Sequence, residues 1–209
     1  AHCIAHSIPA LYRIHATPPD RGVDRFVIQS KLLGAPLVVK KKLKAHHLSK
    51  YLRHYEDHPR SELLSSLLLR SMSRAAYQPK PDLHFGLGTD TYLHFTSPIR
   101  RYPDLWVHRQ LKQWMNQDQD QDQDQEDQSR VNVSEVAGYA SRRERIVMEA
   151  ERKVLDAYKA LFMKDHIGAT YSGIVCQTSP KGFFVDLNDY PIWCTHQIDK
   201  LPGSFRYDE

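Results

Sequence analysis

Residues 84–108 read HFGLGTDTYLHFTSPIRRYPDLWVH, and this stretch is dense in turn-forming and base-bearing side chains. Two adjacent arginines, Arg100 and Arg101, lie between Pro98 and Pro103, which limit the conformations of the backbone. An arginine fork on such a constrained loop matches the geometry of a phosphate group better than a flexible lysine does. The stretch therefore indicates a site for a phosphate group.

Aromatic and hydroxyl side chains surround the two arginines. Tyr92, Phe95 and Tyr102 offer flat faces on which the bases of a single strand can stack. Thr96 and Ser97 add hydroxyl groups that can donate hydrogen bonds. The combination favours a polynucleotide as the molecule that carries the phosphate.

The same residues allow a second interpretation. The stretch is equally consistent with a surface loop in which the arginines pair with Asp90 and Asp104. His108, at the end of the stretch, is expected to be a packing or hydrogen-bonded residue of the helix that starts near Pro103-Asp104. The residue types alone leave both interpretations open.

The order of residues in this stretch resembles the signature of the ribonuclease II / ribonuclease R (RNB) family of exoribonucleases. The matching positions are His84-Phe85-Gly86-Leu87, Tyr92, Phe95-Thr96-Ser97-Pro98-Ile99-Arg100-Arg101-Tyr102, Asp104 and His108. Segments on both sides also resemble the family, namely Ile8–His15, Asp20–Gly34 and Glu149–Asp165, and Gly168–Leu187 with His196 looks like the start of an OB-type RNA-binding module. The resemblance covers nearly the whole chain.

The resemblance implies an enzyme that degrades single-stranded RNA processively from the 3′ end to nucleoside 5′-monophosphates. Family members use Mg²⁺ ions held by an aspartate cluster upstream of the signature, and Mg²⁺ prefers such oxygen ligands. This chain has no such cluster, and its dense acids at 118–127 alternate with glutamine in a low-complexity tract. We therefore expect no metal site here, and we expect a part of the enzyme that is inactive alone.

The resemblance also implies roles for individual residues. Arg100 matches the family's essential arginine, which is expected to bind the scissile or adjacent phosphate and to stabilise charge in the transition state. The residues implied to contact RNA are Thr96, Ser97, Arg101, Tyr102, Tyr92, Phe95, Glu151, Phe183, Phe184 and His196.

Two of these assignments have ordinary alternatives. Glu151 could instead be a helix-face carboxylate paired with Arg152 or Lys153. Phe183 and Phe184 point to opposite faces of a strand, so that one of them is expected in the core.

The hydrophobic pattern predicts an α+β chain with helices before strands. Helices are expected over Asp20–Gly34, after the basic cluster Lys40–Lys44, after Pro59 (with a leucine face from Leu63 to Met72), from near Pro103, and from an N-cap at Ser134 to about Lys164. The last helix carries a broken apolar stripe: Val136, Ile146, Val147, Ala150, Val154, Tyr158 and Leu161. Strands are expected over Thr170–Cys176, Gly182–Leu187 and Ile192–Thr195.

Combined with the resemblance, this pattern divides the chain into two parts. Residues 1–166 are expected to be the helix-rich C-terminal part of an RNB catalytic domain, with 117–128 as a solvated loop. Residues 167–209 are expected to be an incomplete OB-fold (β-barrel) module, since an OB fold needs about five strands.

Composition narrows the function classes. The net charge is +4, but six of the 25 acidic residues lie in 117–128, so the remaining sequence is distinctly basic and suits a polyanionic partner. Three cysteines without a C-x-x-C pair favour a reducing cytoplasm and offer no zinc spacing. The first residues lack the pattern of a leader peptide, and no apolar run is long enough for a membrane span.

Three functional hypotheses follow. The first is part of an exoribonuclease, monomeric, with single-stranded RNA as its ligand and the missing N-terminal part of the same polypeptide as its packing partner. The second is a non-catalytic RNA-binding protein with the same fold. The third is an assembly adaptor that uses an exposed leucine face on the Leu63–Met72 helix.

Overall fold

The computed structural model describes residues 2–39, 43–116 and 132–203. Helices in these ranges are α1 (His2–Ala5), α2 (Asp20–Leu32), α3 (Ala45–His54), α4 (Ser61–Ser71), α5 (Tyr102–Asn116) and α6 (Val133–Met163). Strands are β1 (Tyr12–Ile14), β2 (Ala76–Gln78), β3 (Gly173–Ser179), β4 (Gly182–Leu187) and β5 (Trp193–Gln197). Short 3₁₀ turns follow α6 and β5, over Lys164–His166 and Ile198–Lys200. The mixture of helices with two small antiparallel sheets confirms the α+β prediction.

The chain divides into two compact units, Ala1–Ile146 and Val147–Glu209. The predicted division at residues 166 and 167, into a catalytic domain and an RNA-binding module, stays a prediction. The Gln-Asp tract at 117–128 and residues 40–42 of the basic cluster lie outside the described residues. No helix within the described ranges is both long and apolar enough to cross a membrane.

One core of the first unit forms around the β1–β2 pair. The two strands are antiparallel, and Arg13 lies opposite Tyr77. The buried side chains that pack here include Leu11, Tyr12, Tyr77, Trp106, Val107, Ala137 and Ala140. This core therefore joins the β1–β2 ladder to α5 and to the first turns of α6. These strands were not predicted from the sequence, because each has three residues and its partner lies more than sixty positions away.

A second core of the first unit lies among α2, α3 and α4. Its buried side chains are Phe26, Leu37, Leu48, Tyr51, Leu67, Leu68 and Phe85. The α4 face predicted from its leucine spacing is confirmed, since Leu64, Leu67 and Leu68 are all buried. The adaptor hypothesis requires that face to be exposed, and it is therefore wrong.

The ends of two helices show how local sequence controls the boundaries. After α2, Gly34 has φ +79°, a conformation that favours glycine, and its N–H donates to the carbonyl of Lys31. The prediction that Gly34 ends this helix is therefore confirmed. The helix α6 begins at Val133, and the side chain of Asn132 accepts the N–H of Ser134 at 3.0 Å. The prediction of Ser134 as the N-cap is wrong. The N-cap is Asn132, two residues earlier, whose side-chain oxygen accepts the N–H.

The predicted apolar stripe of α6 has two different environments. In the first unit, Val136 packs against the core beside the buried Ala137 and Ala140. In the second unit, Val154 and Tyr158 are exposed. The helix is predicted correctly, but in the described part of the chain no other side chains bury the second half of its apolar stripe.

The second unit contains a three-stranded antiparallel sheet in the order β3-β4-β5. The β4 bounds are as predicted, whereas β3 begins three residues later than expected and β5 one residue later. A register shift between Val175 and Gln177 marks a β-bulge in β3. Gly182 is needed at the β4–β5 contact, because a Cβ atom there would lie 2.0 Å from the carbonyl oxygen of His196.

Candidate nucleic-acid interface

The two adjacent arginines lie in a tight turn that leads into α5. The N–H groups of Arg100 and Arg101 both donate to the carbonyl of Ser97, at 3.3 and 3.0 Å. The carboxylate of Asp104, in the first turn of α5, accepts the N–H of Ser97 through Oδ1 at 2.8 Å. Both ends of the turn are therefore fixed by hydrogen bonds.

Asp104 is the buried anchor of this turn. Its side chain is 0% exposed, and Oδ1 also accepts from Arg101, at 2.8 Å from Nη2 and 3.2 Å from Nε. Burial by itself raises the pKa of the Asp104 carboxyl, but the hydrogen bonds from Arg101 and from the Ser97 N–H outweigh it and hold that pKa below its ordinary value. The second oxygen, Oδ2, has no hydrogen-bond partner among the described residues.

The structure thus gives the two arginines different roles. Arg101 forms the ion pair with Asp104 that the surface-loop interpretation proposes. Arg100 is exposed and has no ion-pair partner in the ranges that the structure describes, and the same holds for Asp90. Arg100 is therefore available to an external anion, while the contact of Arg101 with RNA stays a prediction.

Phe95 is held from one side by His108. The two rings are stacked, with centroids 4.1 Å apart and an interplanar angle of 13°. Nε2 of His108 donates to the carbonyl of Phe95 at 2.7 Å, which confirms the prediction that His108 is a hydrogen-bonded helix residue. Phe95 remains 41% exposed, and the neighbouring Thr96 is exposed as well. Phe95 is thus a fixed aromatic surface rather than a mobile side chain.

Tyr92 belongs to a half-buried group of aromatic and histidine rings. Its ring meets those of His84 and His94 edge-on, with centroids 5.2 and 5.6 Å apart. His94 in turn forms a 2.8 Å hydrogen bond through Nδ1 with the hydroxyl of Tyr77. The position of Tyr92 is therefore determined by packing, and its predicted contact with RNA stays a prediction.

Burial changes the acid–base properties of this group of rings. Burial lowers the pKa of His84, and the nearby His15 lowers it further. Burial also lowers the pKa of His94, with a smaller contribution from Arg101. For the phenol of Tyr77, burial raises the pKa to about 12. The neutral form of each of these rings is thus favoured in the folded protein.

A second set of polar contacts fastens the β1–β2 ladder to α6. Nη1 of Arg13 lies 2.6 Å from Oε2 of Glu144, and the guanidinium carbon of Arg13 lies 4.6 Å from the centre of the Tyr77 ring. The N–H of Tyr77 donates to Oγ of Ser141 at 2.9 Å. These residues were not predicted from the sequence, and the 131 positions between Arg13 and Glu144 leave no local signal that could have revealed them.

The remaining predicted RNA contacts lie in the second unit. Glu151 is exposed on α6, and no ion pair joins it to Arg152 or Lys153, which the structure also describes. Phe183 lies opposite His196 across β4 and β5, with ring centroids 5.4 Å apart.

Phe184, the neighbour of Phe183 on β4, was the other candidate for a core position. Both rings are half-buried, so the expectation that one of them fills a closed core is wrong. A three-stranded sheet leaves both of its faces partly open, which accounts for this exposure.

The described residues do not provide a donor set for Mg²⁺. They contain no group of three or more histidine, cysteine, aspartate or glutamate side chains that could hold a metal ion. The buried carboxylate of Asp104 is already engaged with Arg101, and so it does not fit a magnesium ligand. The acids at 118–127 lie outside the described residues.

Exposed arginine and aromatic side chains, such as Arg100, Phe95 and Tyr102 here, occur together in proteins that bind single-stranded nucleic acid. The model of the RNB domain matches residues 1–117, which is more than half of the chain. The chain therefore belongs to the RNB family, and the resemblance noted in its signature is confirmed.

Known relatives match along almost the whole chain. Ribonuclease R 1 of Lactococcus lactis subsp. lactis is 35% identical over 100% of this chain and 25% of its own length. Ribonuclease R of Escherichia coli is 34% identical over 96% of this chain and 26% of its own length. The chain thus spans about a quarter of the length of these relatives.

Solved structures show the same fold. Mycoplasma genitalium RNase R in complex with ribose-methylated single-stranded RNA matches with a TM-score of 0.89 and 28% identity, over 98% of this chain and 32% of that chain. Yeast Ssd1, described as a pseudonuclease, matches with a TM-score of 0.72 and 24% identity, over 96% of this chain and 25% of that chain. At that identity the likeness to Ssd1 shows the fold alone.

Proposed function

We propose that this chain is part of a processive exoribonuclease that degrades single-stranded RNA from the 3′ end. The proposed products are nucleoside 5′-monophosphates, and the proposed reaction is hydrolysis that depends on Mg²⁺. One observation carries the proposal. Arg100 is exposed on a turn braced by Asp104, within a segment that belongs to the RNB domain.

Arg100 is proposed to bind the scissile or adjacent phosphate. Arginine suits this role because its guanidinium stays charged and can donate two parallel hydrogen bonds to phosphate oxygens. The hydrogen bonds at Ser97 hold the turn before RNA arrives, so that binding does not have to order it. Charge that develops on the phosphate during cleavage would be stabilised by the same group.

The residues around Arg100 are proposed to line the path of the RNA. Phe95 and Tyr102 are exposed and can stack on bases, and the hydroxyl groups of Thr96 and Ser97 can donate to phosphate or ribose. Glu151, Phe183, Phe184 and His196 are proposed as further RNA contacts made by the second unit. Arg101 is proposed to act near the RNA through the turn that it stabilises.

These 209 residues are proposed to be inactive by themselves. Two-metal hydrolysis needs carboxylate ligands, and the described residues offer none in a suitable cluster. The missing ligands are proposed to lie in a longer polypeptide that contains this chain, whose additional part packs against it. We also propose that this longer protein is a monomer and acts in the cytoplasm.

A second candidate function is RNA binding without cleavage. It is favoured by the same lack of a metal-binding cluster in the described ranges. The two candidates differ in one feature that can be read directly, namely whether an aspartate cluster is encoded upstream of these residues. An intact cluster supports the enzyme, and a degenerate one supports the RNA-binding protein.

The test uses the longest open reading frame that contains these residues. Arg100→Ala should slow the shortening of a 5′-labelled oligoribonucleotide from its 3′ end, with a loss of at least about 100-fold in kcat, as for other groups that stabilise transition-state charge. Arg21→Ala, which removes an exposed arginine on α2, is the matched control and should leave the rate unchanged. Equal rates for both variants would refute the role of Arg100. Hydrolysis by the 209-residue chain itself would refute its proposed inactivity.

A further inference from the structure

A groove runs between the start of α5 and the first turns of α6. Its volume is about 1130 Å³, and it lies entirely within the first unit. The residues that line it are Tyr102, Ser134, Glu135, Val136, Gly138, Tyr139, Arg142 and Arg143. Apart from Tyr102, none of these residues belongs to the signature at 84–108, and the sequence predicts no function for them.

Two tyrosines form the flat surfaces of the groove. Tyr102 is 46% exposed and Tyr139 is 49% exposed, so each ring can accept a stacked partner. Nε of Arg143 donates to the hydroxyl of Tyr139 at 2.9 Å, and its guanidinium carbon lies 5.1 Å from the centre of the ring. This contact fixes the orientation of the Tyr139 ring and places a positive charge beside it.

Two arginines supply an excess of positive charge. Arg142 and Arg143 are both exposed, and neither has an ion-pair partner in the described residues. Gly138 gives Arg142 room to lie along α6, because a Cβ atom at position 138 would lie 3.3 Å from its Nη1. Among the described residues of the lining, Glu135 is the single acidic side chain, and it accepts a hydrogen bond from Asn132 at 3.3 Å. The groove is therefore cationic and aromatic together.

We propose that this groove binds a stretch of single-stranded RNA next to the nucleotide held at Arg100. The inference rests on the proposed function and adds a binding site to it. Unpaired bases can stack on exposed tyrosines while arginines contact the phosphates, and a double helix does not offer its bases in this way. Tyr102 lies two residues after Arg100, so their Cα atoms are at most about 7.6 Å apart, within reach of neighbouring nucleotides.

The test measures RNA binding by the 209-residue chain with a fluorescein-labelled 12-nucleotide oligoadenylate. Fluorescence anisotropy is recorded at several salt concentrations for the wild type and three variants. Arg142→Gln/Arg143→Gln removes the proposed phosphate contacts, and Arg21→Gln/Arg25→Gln on α2 removes the same charge from exposed positions elsewhere. The third variant, Arg100→Gln, tests the proposed function. Far-UV circular dichroism checks that each variant is folded.

The groove variant should weaken binding roughly 10- to 25-fold at 0.1 M salt. The slope of log binding constant against log salt concentration should also be less negative by about 1.4. Each phosphate contact of a single strand contributes about 0.7 to this slope, and the variant removes two contacts. The α2 variant should match the wild type in the slope. In a further variant, Tyr139→Leu should weaken binding roughly 5-fold or more without changing the slope, because stacking involves no release of counterions.

The possible failures are distinguishable. If the groove variant and the α2 variant weaken binding equally while Arg100→Gln weakens it strongly, the groove proposal is wrong and the proposed function stands. If the wild-type chain does not bind the oligonucleotide at all, the RNA-binding role of the chain fails, and the groove proposal fails with it.

Discussion

The two units of this protein differ in how completely they bury their side chains. In the first unit, Leu11 and Val107 are 0% exposed, and hydrogen bonds join residues far apart in sequence, such as Arg13 and Glu144. In the second unit, Cys176 and Ile192 are buried, but the apolar face of α6 is exposed from Val147 to Leu161. Only a closely packed unit can hold a side chain in a defined position without help. The first unit is thus built to fix a site by itself, whereas the described residues of the second unit do not provide such support.

The largest change in the free energy of unfolding is expected when the Arg101–Asp104 ion pair, which holds the turn, is removed. Arg101→Ala leaves the buried carboxylate of Asp104 without its cation, and removing one partner of a buried pair costs about 3–5 kcal/mol. Because Arg101 is itself 26% exposed, we expect a smaller loss, about 2–3 kcal/mol of unfolding free energy. Urea unfolding measures this value.

Arg100→Ala is the matched control for that prediction. It removes the same charge from an exposed neighbour and should change the free energy of unfolding by less than about 0.5 kcal/mol. The double variant Arg101→Ala/Asp104→Asn should be more stable than Arg101→Ala alone, because it removes the unpaired charge while the amide oxygen can still accept the Ser97 N–H. Equal effects of the two single variants would contradict the distinct roles of the two arginines.

The helices and the second sheet could be predicted because their signals are local. The leucine spacing of α4, the glycine after α2 and the turn residues between β3 and β4 each act within a few positions. The pairing of β1 with β2 and the contact of Ser141 with Tyr77 depend on chain segments that meet only after folding. No pattern within a short window contains that information.

The chemistry of the candidate site could be predicted from the sequence, but the different roles of Arg100 and Arg101 could not. The residue types around Arg100 indicate a phosphate site, and the signature supplies the family. The ion pair between Arg101 and the buried Asp104 depends on how the first turn of α5 packs. The sequence does not reveal this packing, and so it leaves both the phosphate site and the surface-loop ion pair open. Likewise, periodicity predicts the apolar stripe of α6, but it does not tell whether a partner covers Val154.

A pair of identical substitutions compares the two units directly. Val107→Ala, in the core of the first unit, should lower the free energy of unfolding by about 2 kcal/mol, because it removes two buried methyl groups and leaves a cavity. Val154→Ala on α6 should change it by less than about 0.5 kcal/mol, since Val154 is 57% exposed. Hydrogen–deuterium exchange of peptides from each unit reports the two effects separately.

The outcome for Val154 also tests the proposed packing partner. In a longer protein whose additional residues cover this face, Val154→Ala should become destabilising, whereas the effect of Val107→Ala should stay the same. A Val154 effect that is small in both proteins would argue against a partner on this face. A large effect already in the 209-residue chain would contradict the difference between the units.

The smallest change in stability is expected from pH, through His84 and His94 in the first unit. Burial holds the pKa of both below the ordinary value of about 6.5, so the unfolded chain binds more protons than the folded one as the pH falls through that value. Their contribution to stability is therefore complete above about pH 6.5 and is lost progressively below it. We expect a lower melting temperature at pH 5.5 than at pH 7.5. Peptides from 84–108 should also show lower protection against hydrogen exchange at pH 5.5, once the rates are corrected for the slower intrinsic exchange at the lower pH. His94→Gln keeps a polar side chain beside the Tyr77 hydroxyl but cannot take up a proton, so it should reduce this pH dependence. An unchanged pH dependence in His94→Gln would show that His94 does not contribute to it.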